Sequence, residues 1–431
     1  MINIVYKFSN YEEYDIDSDG DFITYSFNDY RYTFWKNKLE LLPEFPSNEA
    51  IDLLMISLSV YGADRIIKRK DSLNGWKRSI HLHLPVLNTE LLEKNKELLK
   101  RTVNFLTGDS WEFTFRDREL TPEESKCREQ MGQTRIDTLD INKICMFSGG
   151  LDSFIGAIDL LEGESKDIIF VSHYGGGKGT LEYQEALKDE LITQHFLSEN
   201  NFYSFYAAPK GGKEETMRSR SFMFFSHAIV LASCFKKKLE LIIPENGYIS
   251  LNIPLTYSRI GTSSTRTTHP YYMELFQDLL NKLGIEVTLI NPYQFKTKGE
   301  MVTECKNKDF LARNIINTMS CSHPDVGRMR GESETQHCGT CLPCIIRRAA
   351  IKAAGIEDRT TYFDADFLSG KTARKNLNSY LIGLEKFDPE RAYLDIQMSG
   401  PLNSNIEQYE SIFKRGVAEL KEVLKDYYEN T

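Results

Sequence analysis

Residues 144–153 read Ile-Cys-Met-Phe-Ser-Gly-Gly-Leu-Asp-Ser, and this stretch is the most informative about the fold. The apolar run Ile144–Phe147 stops abruptly before two adjacent glycines, Gly149 and Gly150. An apolar run that is compatible with a helix follows from 154 to 161. The pattern therefore predicts a strand, a tight glycine turn and the start of a helix.

The predicted turn has the chemistry of an anion site. Backbone N–H groups at a helix N-terminus lack intrahelical partners and carry partial positive charge, so they favour an anion. Gly149 and Gly150 allow close approach of the backbone, and Ser148 and Ser153 add hydroxyl donors. Asp152 is unexpected here because a carboxylate repels phosphate. We interpret it as a helix cap or as a ligand for the magnesium that accompanies a nucleotide.

The hexapeptide Ser148–Ser153 resembles the PP-loop, the pyrophosphate-binding signature of N-type ATP pyrophosphatases. No Walker A sequence G-x-x-x-x-G-K-[ST] occurs in the chain. The resemblance implies that a substrate oxygen attacks the α-phosphorus of ATP and that pyrophosphate leaves. It also implies that the nucleotide is contacted by Ser148, Gly149, Gly150, Leu151, Asp152 and Ser153. An ordinary glycine–serine turn is the alternative interpretation.

Composition narrows the class of protein. The chain has 431 residues, 41% of them hydrophobic, and a net charge of −9. An acidic chain of this kind is not expected to bind nucleic acid generally, and no apolar stretch is long enough to predict a membrane span. The N-terminus lacks the pattern of a signal peptide, so we expect a cytoplasmic protein whose eight cysteines are thiols or metal ligands.

Three regions are predicted along the chain. Residues 1–138 should form an α+β accessory module with a linker, because strand-like and helical patterns are mixed there. From 139 to 365 strands alternate with single helices, which predicts an α/β domain whose parallel sheet binds ligands beyond the carboxyl ends of its strands. Residues 366–431 should form a helical segment, with a docked amphipathic helix in the tail.

Four of the eight cysteines fall in one place, Cys321, Cys338, Cys341 and Cys344. The spacing C-x-x-C-x-x-C lets a tight turn present successive sulfurs, and four thiolates complete a tetrahedral zinc shell. No ligand position is left open, so the predicted zinc site is structural. An iron–sulfur cluster is the alternative metal centre. His323 and His337 adjoin the cluster and are interpreted as bystanders.

The hexapeptide and the cysteine cluster together are similar to the QueC family, the 7-cyano-7-deazaguanine synthases. The segment Asn291–Val302 resembles the family's Pro…Thr-Lys-x-Glu sequence, which implies that Lys298 lies near the nucleotide. Arg220 stands where the family has an Arg-Asn pair, and Cys344 is followed by Arg347 and an alanine-rich helix. The resemblance covers residues 143–360 and implies a PP-loop ATP pyrophosphatase fold, of the adenine nucleotide alpha hydrolase type.

The chain also departs from the family. The family's Tyr-Gly-Gln is replaced by residues 173–178, which begin with His173, and its acidic substrate segment is replaced by residues 266–272. The biosynthetic enzymes have no counterpart of the N-terminal module. This arrangement resembles the QueC-like subunit of the Qat anti-phage system, which implies a defence role with operon-encoded protein partners and a rebuilt acceptor end.

The resemblance implies an ATP-dependent carbon–nitrogen ligase that uses ATP, Mg²⁺ and Zn²⁺. A 7-carboxy-7-deazaguanine would be adenylated and then attacked by an amine, either ammonia or a partner protein. Asp152, Lys298, Arg220 and His173 are the candidate catalytic residues, with His173 as a base for the amine. The family also suggests a homodimer. A tRNA-modifying enzyme of the thiolation type and a nucleotide-binding scaffold are the alternative functions.

Overall fold

The computed structural model describes residues 1–8, 12, 14, 22–72, 75–131, 141–163, 167–175, 178–254, 266–331 and 334–428. The strands are β1 (Ile2–Lys7), β2 (Phe22–Ser26), β3 (Tyr30–Tyr32), β4 (Ser79–Val86), β5 (Ser110–Asp117), β6 (Lys143–Met146), β7 (Ile168–Tyr174), β8 (Phe202–Pro209), β9 (Leu239–Ile242) and β10 (Val287–Ile290).

The helices are α1 (Asn48–Ile66), α2 (Thr89–Thr107), α3 (Pro122–Gln130), α4 (Leu151–Leu161), α5 (Lys178–His195), α6 (Arg220–Ser233), α7 (Gly247–Ser250), α8 (Pro270–Lys282), α9 (Lys298–Glu304), α10 (Lys308–Asn314), α11 (Leu342–Ala353), α12 (Lys371–Glu385), α13 (Ala392–Met398), α14 (Ile406–Val423) and α15 (Lys425–Tyr428). None of these helices has the length and apolarity that crossing a bilayer requires.

The predicted parallel sheet is present, with strand order β10-β9-β6-β7-β8 and a short edge strand beyond β8. The chain runs from β6 outward to β8, then crosses to the other side of β6 for β9 and β10. The pairs among β6 to β10 are parallel because a helical crossover separates successive strands. The strand order therefore reverses between β6 and β9. Such a reversal is called a topological switch point, and ligands of doubly wound sheets bind there.

The edge strand beside β8 is β3, which comes from the N-terminal region and runs antiparallel to β8. Its neighbour in sequence, β2, instead pairs in parallel with β1. One apolar cluster runs through both sheets, and α1 packs against α6 between them. The predicted domain boundary near 138 lies outside the described residues and stays a prediction.

The expected α+β pattern of the N-terminal module is wrong. Its four strands, in the order β2-β1-β4-β5, form a wholly parallel sheet. For the β4–β5 pair, the reason is the 19-residue helix α2 between the two strands, because a helical crossover returns the chain in the same direction. The N-terminal region is therefore an α/β layer like the central one.

The C-terminal helices pack on one another and on α11, as the tail pattern predicts. The buried side chains of α14 include Tyr409, Phe413, Val417 and Leu420, and they meet Ile345 and Ile346 of α11 in one apolar cluster. The amphipathic tail is thus part of the core that supports the helix following the cysteines.

Candidate functional site

The turn after β6 lies at the carboxyl end of the strand beside the switch point. Gly149 has φ +80°, which only glycine adopts without strain. A Cβ at this position would lie 2.9 Å from Cγ of Gln184. Gly150 is the N-cap residue of α4, and no side chain caps the helix there. The helix therefore begins with its first amides directed into the turn.

The backbone N–H groups of this turn donate to neutral serine hydroxyls. Gly150 N–H donates to Ser148 Oγ at 3.3 Å, and Ser148 Oγ lies 3.1 Å from Ser153 Oγ. Leu151 N–H donates to Ser320 Oγ at 3.2 Å. Hydroxyls rotate and carry no charge, so an incoming anion can take over these donors without displacing a carboxylate.

Asp152 is buried at the start of α4 and is held by two groups. Its Oδ1 lies 2.9 Å from Lys298 Nζ, and its Oδ2 accepts from Asn246 Nδ2 at 2.7 Å. Burial raises the pKa of this carboxyl, but Lys298 and the hydrogen bonds outweigh burial and hold the pKa below its ordinary value. Asp152 is therefore ionised. Its interpretation as a helix cap is wrong, because Gly150 is the N-cap residue, no side chain caps α4, and the Asp152 oxygens contact Lys298 and Asn246 instead.

Lys298 reaches Asp152 because it opens α9. Thr297 caps that helix, with its hydroxyl accepting from Glu300 N–H while the Glu300 carboxylate accepts from Thr297 N–H. This reciprocal capping fixes the first residue of the helix and so the origin of the lysine side chain. The structure thus brings Lys298 to the turn, although they are about 150 residues apart in sequence.

Glu245 is the carboxylate that the sequence interpretation missed. It follows β9 across the switch point, and its side chain is within hydrogen-bonding distance of Asp152. Burial and the charge of Asp152 raise the pKa of Glu245 well above its ordinary value, so a proton held by the pair is favoured on Glu245. The signal was available, because Glu245 directly follows a predicted parallel strand.

The carboxyl pair fits a magnesium ion. Magnesium prefers hard oxygen ligands and is usually held by one or two carboxylates together with phosphates. Asp152 and Glu245 supply such a pair beside a turn that suits phosphate. The shared proton has to leave when a cation binds both groups.

His173 does not face the turn, so its predicted role as a base for the amine is not supported by its position. It is fully buried, Arg220 Nε–H donates to its Nδ1 at 3.3 Å, and its Nε2–H donates to the Ala207 carbonyl at 3.3 Å. Burial, Arg220 and His227 lower its pKa well below the ordinary value. A neutral ring with both nitrogens engaged positions Arg220 and has no free nitrogen for a proton from substrate.

Arg220, the first residue of α6, is half-buried near the turn. Its Nη2 and the Nε2 of Gln184 lie 3.5 and 3.1 Å from the same carbonyl, that of His173, and Gln184 also donates to Ser148 O at 3.0 Å. Within the described part of the chain, no carboxylate pairs with Arg220, and burial lowers its pKa. An unneutralised guanidinium beside the turn is suited to an anion.

The four predicted cysteines converge. Their sulfurs lie within 4.8 Å of one another, and the pairs Cys321–Cys341 and Cys338–Cys344 are each 3.9 Å apart. A tetrahedral site with Zn–S bonds of about 2.3 Å needs sulfurs about 3.8 Å apart, so the cluster fits zinc. Cys338 N–H and Cys341 N–H donate to the sulfurs of Cys321 and Cys338, as is usual around thiolates.

The cysteine cluster is joined to the turn through the segment before Cys321. Met319 N–H donates to the Gly149 carbonyl at 2.7 Å, and Ser320 Oγ accepts from Leu151 N–H. Arg347 fixes the start of this segment by donating to the Thr318 hydroxyl at 2.5 Å. A metal bound at the cluster would therefore stabilise one wall of the turn without touching a ligand in it.

The fold and the site together define a doubly wound α/β protein with an anion-type turn at its switch point and a four-cysteine cluster beside it. No family model matches the chain. Over 110 residues it is 32% identical to the 7-cyano-7-deazaguanine synthases of Brucella ovis, Brucella canis and Brucella suis, which covers 25% of this chain and 42% of each relative. The chain thus spans less than half the length of these curated relatives, and the predicted resemblance to the QueC family is supported to that extent.

Proposed function

We propose that this chain is an ATP-dependent synthase that adenylates a carboxylate and joins it to an amine. The observation that carries the proposal is the convergence, at one switch point, of an uncapped, hydroxyl-lined turn, two carboxyls and a buried lysine. An arginine that no described carboxylate neutralises, Arg220, is linked to this turn through the His173 carbonyl and Gln184. Phosphate suits the turn and Arg220, and a divalent cation suits the carboxyl pair. A triphosphate with its metal satisfies both requirements.

The reaction divides into two steps. A carboxylate oxygen of the substrate attacks the α-phosphorus, the bond to the bridging oxygen breaks, and pyrophosphate leaves. An amine then attacks the acyl carbon, AMP leaves, and the amine loses a proton to solvent. Backbone amides of 149–151, Lys298 and Arg220 offset the charge that develops on the phosphate oxygens. Magnesium held by Asp152 and Glu245 would neutralise further phosphate charge.

The carboxylate is a 7-carboxy-7-deazaguanine in this proposal, following the relatives named above. The acceptor differs from theirs. Residues 266–272, where the family's substrate segment is replaced, pack against the N-terminal region: Arg266 Nη1 donates to the Phe105 carbonyl at 2.9 Å and its guanidinium lies 4.4 Å from the Phe105 ring. Because this segment contacts the N-terminal region, it supports a changed binding site for the amine. A larger amine, such as one from a partner protein, would suit that site.

A thiolation enzyme is disfavoured by the cysteines. Such chemistry needs a thiolate, whereas burial raises the pKa of Cys127 to about 11 and that of Cys305 to about 12. The pKa values of Cys145 and Cys234 are also raised by burial, and the other four thiols form the metal-type cluster. No described cysteine is therefore both free and activated.

The proposal is tested by product analysis. Purified protein is incubated with ATP, Mg²⁺, a 7-deazaguanine carboxylate and ammonia or candidate partner proteins, and mass spectrometry follows the products. AMP and pyrophosphate are expected. ADP and inorganic phosphate would contradict the proposal, because they place bond cleavage at the γ-phosphorus.

Asp152→Asn is the test variant and Asp159→Asn is its matched control. Both aspartates lie on α4, but Asp159 accepts from Tyr293 Oη–H at 2.6 Å and Lys306 N–H at 2.8 Å, away from the turn. Only Asp152→Asn should abolish pyrophosphate release. Equal loss in both variants would show that damage to α4, and not the carboxyl pair, explains the effect.

We further propose that the activity serves anti-phage defence together with operon-encoded partners, which the resemblance to the QueC-like subunit of the Qat system supports. Phage plating on cells that carry the operon tests this with the same two variants. Protection should be lost with Asp152→Asn and retained with Asp159→Asn. Full protection by Asp152→Asn would favour a scaffold over an enzyme.

A further inference from the structure

The connector between β8 and α6, residues 210–219, is held almost entirely by the N-terminal region. Lys213 N–H and Glu214 N–H both donate to the Arg65 carbonyl, at 2.7 and 2.9 Å. Farther along, Arg218 Nη1 donates to the Thr107 carbonyl at 3.0 Å. The connector ends at Arg220, so whatever fixes it also fixes the cation beside the turn.

Asp64, near the end of α1, accepts three further hydrogen bonds from the connector. Its Oδ2 accepts from Ser219 Oγ at 2.7 Å, from Ser219 N–H at 3.3 Å and from Thr216 Oγ at 3.2 Å. Asp64 and Ser219 are fully buried. Ser219 directly precedes Arg220, and its own side chain does not cap α6. Asp64 therefore holds the N-cap residue of that helix through both its backbone N–H and its hydroxyl.

Two buried arginines hold Asp64 in turn. Arg78 pairs with its Oδ1, and Arg69 lies 3.5 Å from the same oxygen. Asp109 completes the cluster, 2.7 Å from Arg69 and 2.5 Å from Arg78. Two positive and two negative charges thus balance away from solvent. Such a cluster is rigid, because removing one member leaves its partners with uncompensated buried charge.

We infer that Asp64 is a positioning residue for the nucleotide site: it orients the connector that delivers Arg220, so the N-terminal region completes a site whose phosphate-type turn lies in the central sheet. The inference rests on the proposed function, since that function gives Arg220 its phosphate. The N-terminal region then takes part in ATP binding through the three hydrogen bonds that Asp64 accepts from the connector, because these bonds set the position at which α6 begins.

The experiment compares Asp64→Asn with Asp52→Asn. Both aspartates are fully buried on α1, but Asp52 accepts from Leu87 N–H at 2.8 Å and Asn88 N–H at 2.9 Å and does not touch the connector. Asp64→Asn should weaken ATP binding about tenfold in calorimetric titration and raise KM for ATP about tenfold, with KM for the carboxylate unchanged. Asp52→Asn should leave both constants for ATP unchanged even where it lowers stability.

A double-mutant cycle separates positioning from general damage. If Asp64 acts through Arg220, Asp64→Asn combined with Arg220→Ala should bind ATP no more weakly than Arg220→Ala alone. Additive losses would overturn the inference, as would an Arg220→Ala variant that binds ATP normally. Ser219→Ala, which removes one hydroxyl contact and no charge, provides the same comparison if Asp64→Asn does not fold.

Amide hydrogen exchange gives a result that does not depend on activity. The amides of 213–219 should exchange faster in Asp64→Asn than in wild type, whereas those of β6 should not change. Unchanged exchange would overturn the inference. If wild-type protein binds no ATP, the proposed function fails, and exchange alone then decides whether Asp64 holds the connector.

Discussion

Replacing Gly149 by alanine adds one methyl group to the turn and should be unusually costly. The φ of +80° costs an L-residue about 1–2 kcal/mol. The new Cβ would also lie 2.9 Å from Gln184 Cγ, so the glutamine has to move. Gln184 is buried and donates to the carbonyls of Ser148 and His173, and weakening one or both of these bonds costs about 1 kcal/mol for each bond. We expect the free energy of unfolding to fall by about 2–4 kcal/mol.

Substitutions at two other glycines separate the cost of backbone strain from the cost of the clash with Gln184. Gly211 has φ +73°, and nothing lies within 4 Å of the Cβ that a substitution would add, so Gly211→Ala should cost only the backbone contribution of about 1–2 kcal/mol. Gly150 has φ −83°, and its Cβ would lie 3.4 Å from Ser148 Oγ, so Gly150→Ala should cost less than about 1 kcal/mol. Among the three, Gly149→Ala alone combines strain with a clash.

Urea unfolding followed by tryptophan fluorescence measures the three variants, and calorimetry measures their ATP affinity. Gly149→Ala should unfold at the lowest urea concentration and should also bind ATP most weakly. Its destabilisation should exceed that of Gly211→Ala. Equal destabilisation of the two variants would mean that Gln184 does not support the turn, contrary to this prediction.

Three further predictions concern protons and metal. Burial holds the pKa of His227 at about 4, below the ordinary 6.5. The neutral ring therefore contributes up to about 3 kcal/mol to the free energy of unfolding above pH 6.5, and this contribution is lost as the pH falls to 4. In urea titrations at several pH values, His227→Phe should reduce the slope of the unfolding free energy against pH by about one proton. Binding of Mg²⁺ with ATP should release about one proton, seen by calorimetry in two buffers, and Glu245→Gln should abolish the release. Elemental analysis should find about one zinc per chain, and a chelator that removes it should speed amide exchange at 318–321; exchange unchanged without metal would contradict the link between cluster and turn.

Local chemistry follows from short stretches of sequence. The run from Ile144 to Ser153 encodes strand, turn and helix because glycine conformations and apolar spacing act within a few residues. The C-x-x-C-x-x-C spacing likewise places sulfurs near one another whatever surrounds them. These features predict the turn and three of the four cysteine ligands, and both are present. Cys321 lies 17 residues before Cys338, so tertiary packing brings its sulfur to the cluster.

The tertiary structure decided which distant residues meet. Glu245 lies within hydrogen-bonding distance of Asp152 only because β9 lies next to β6, and strand order is set by packing of the whole sheet. His173 looked available beside a glycine segment, yet the chain buries it against Arg220 and Ala207. Asp64 had no sequence signal for its contact with the connector, since Thr216 and Ser219 are about 150 residues away. Local patterns specify donors and ligands, but burial and long-range pairing determine which of them are charged, paired or free.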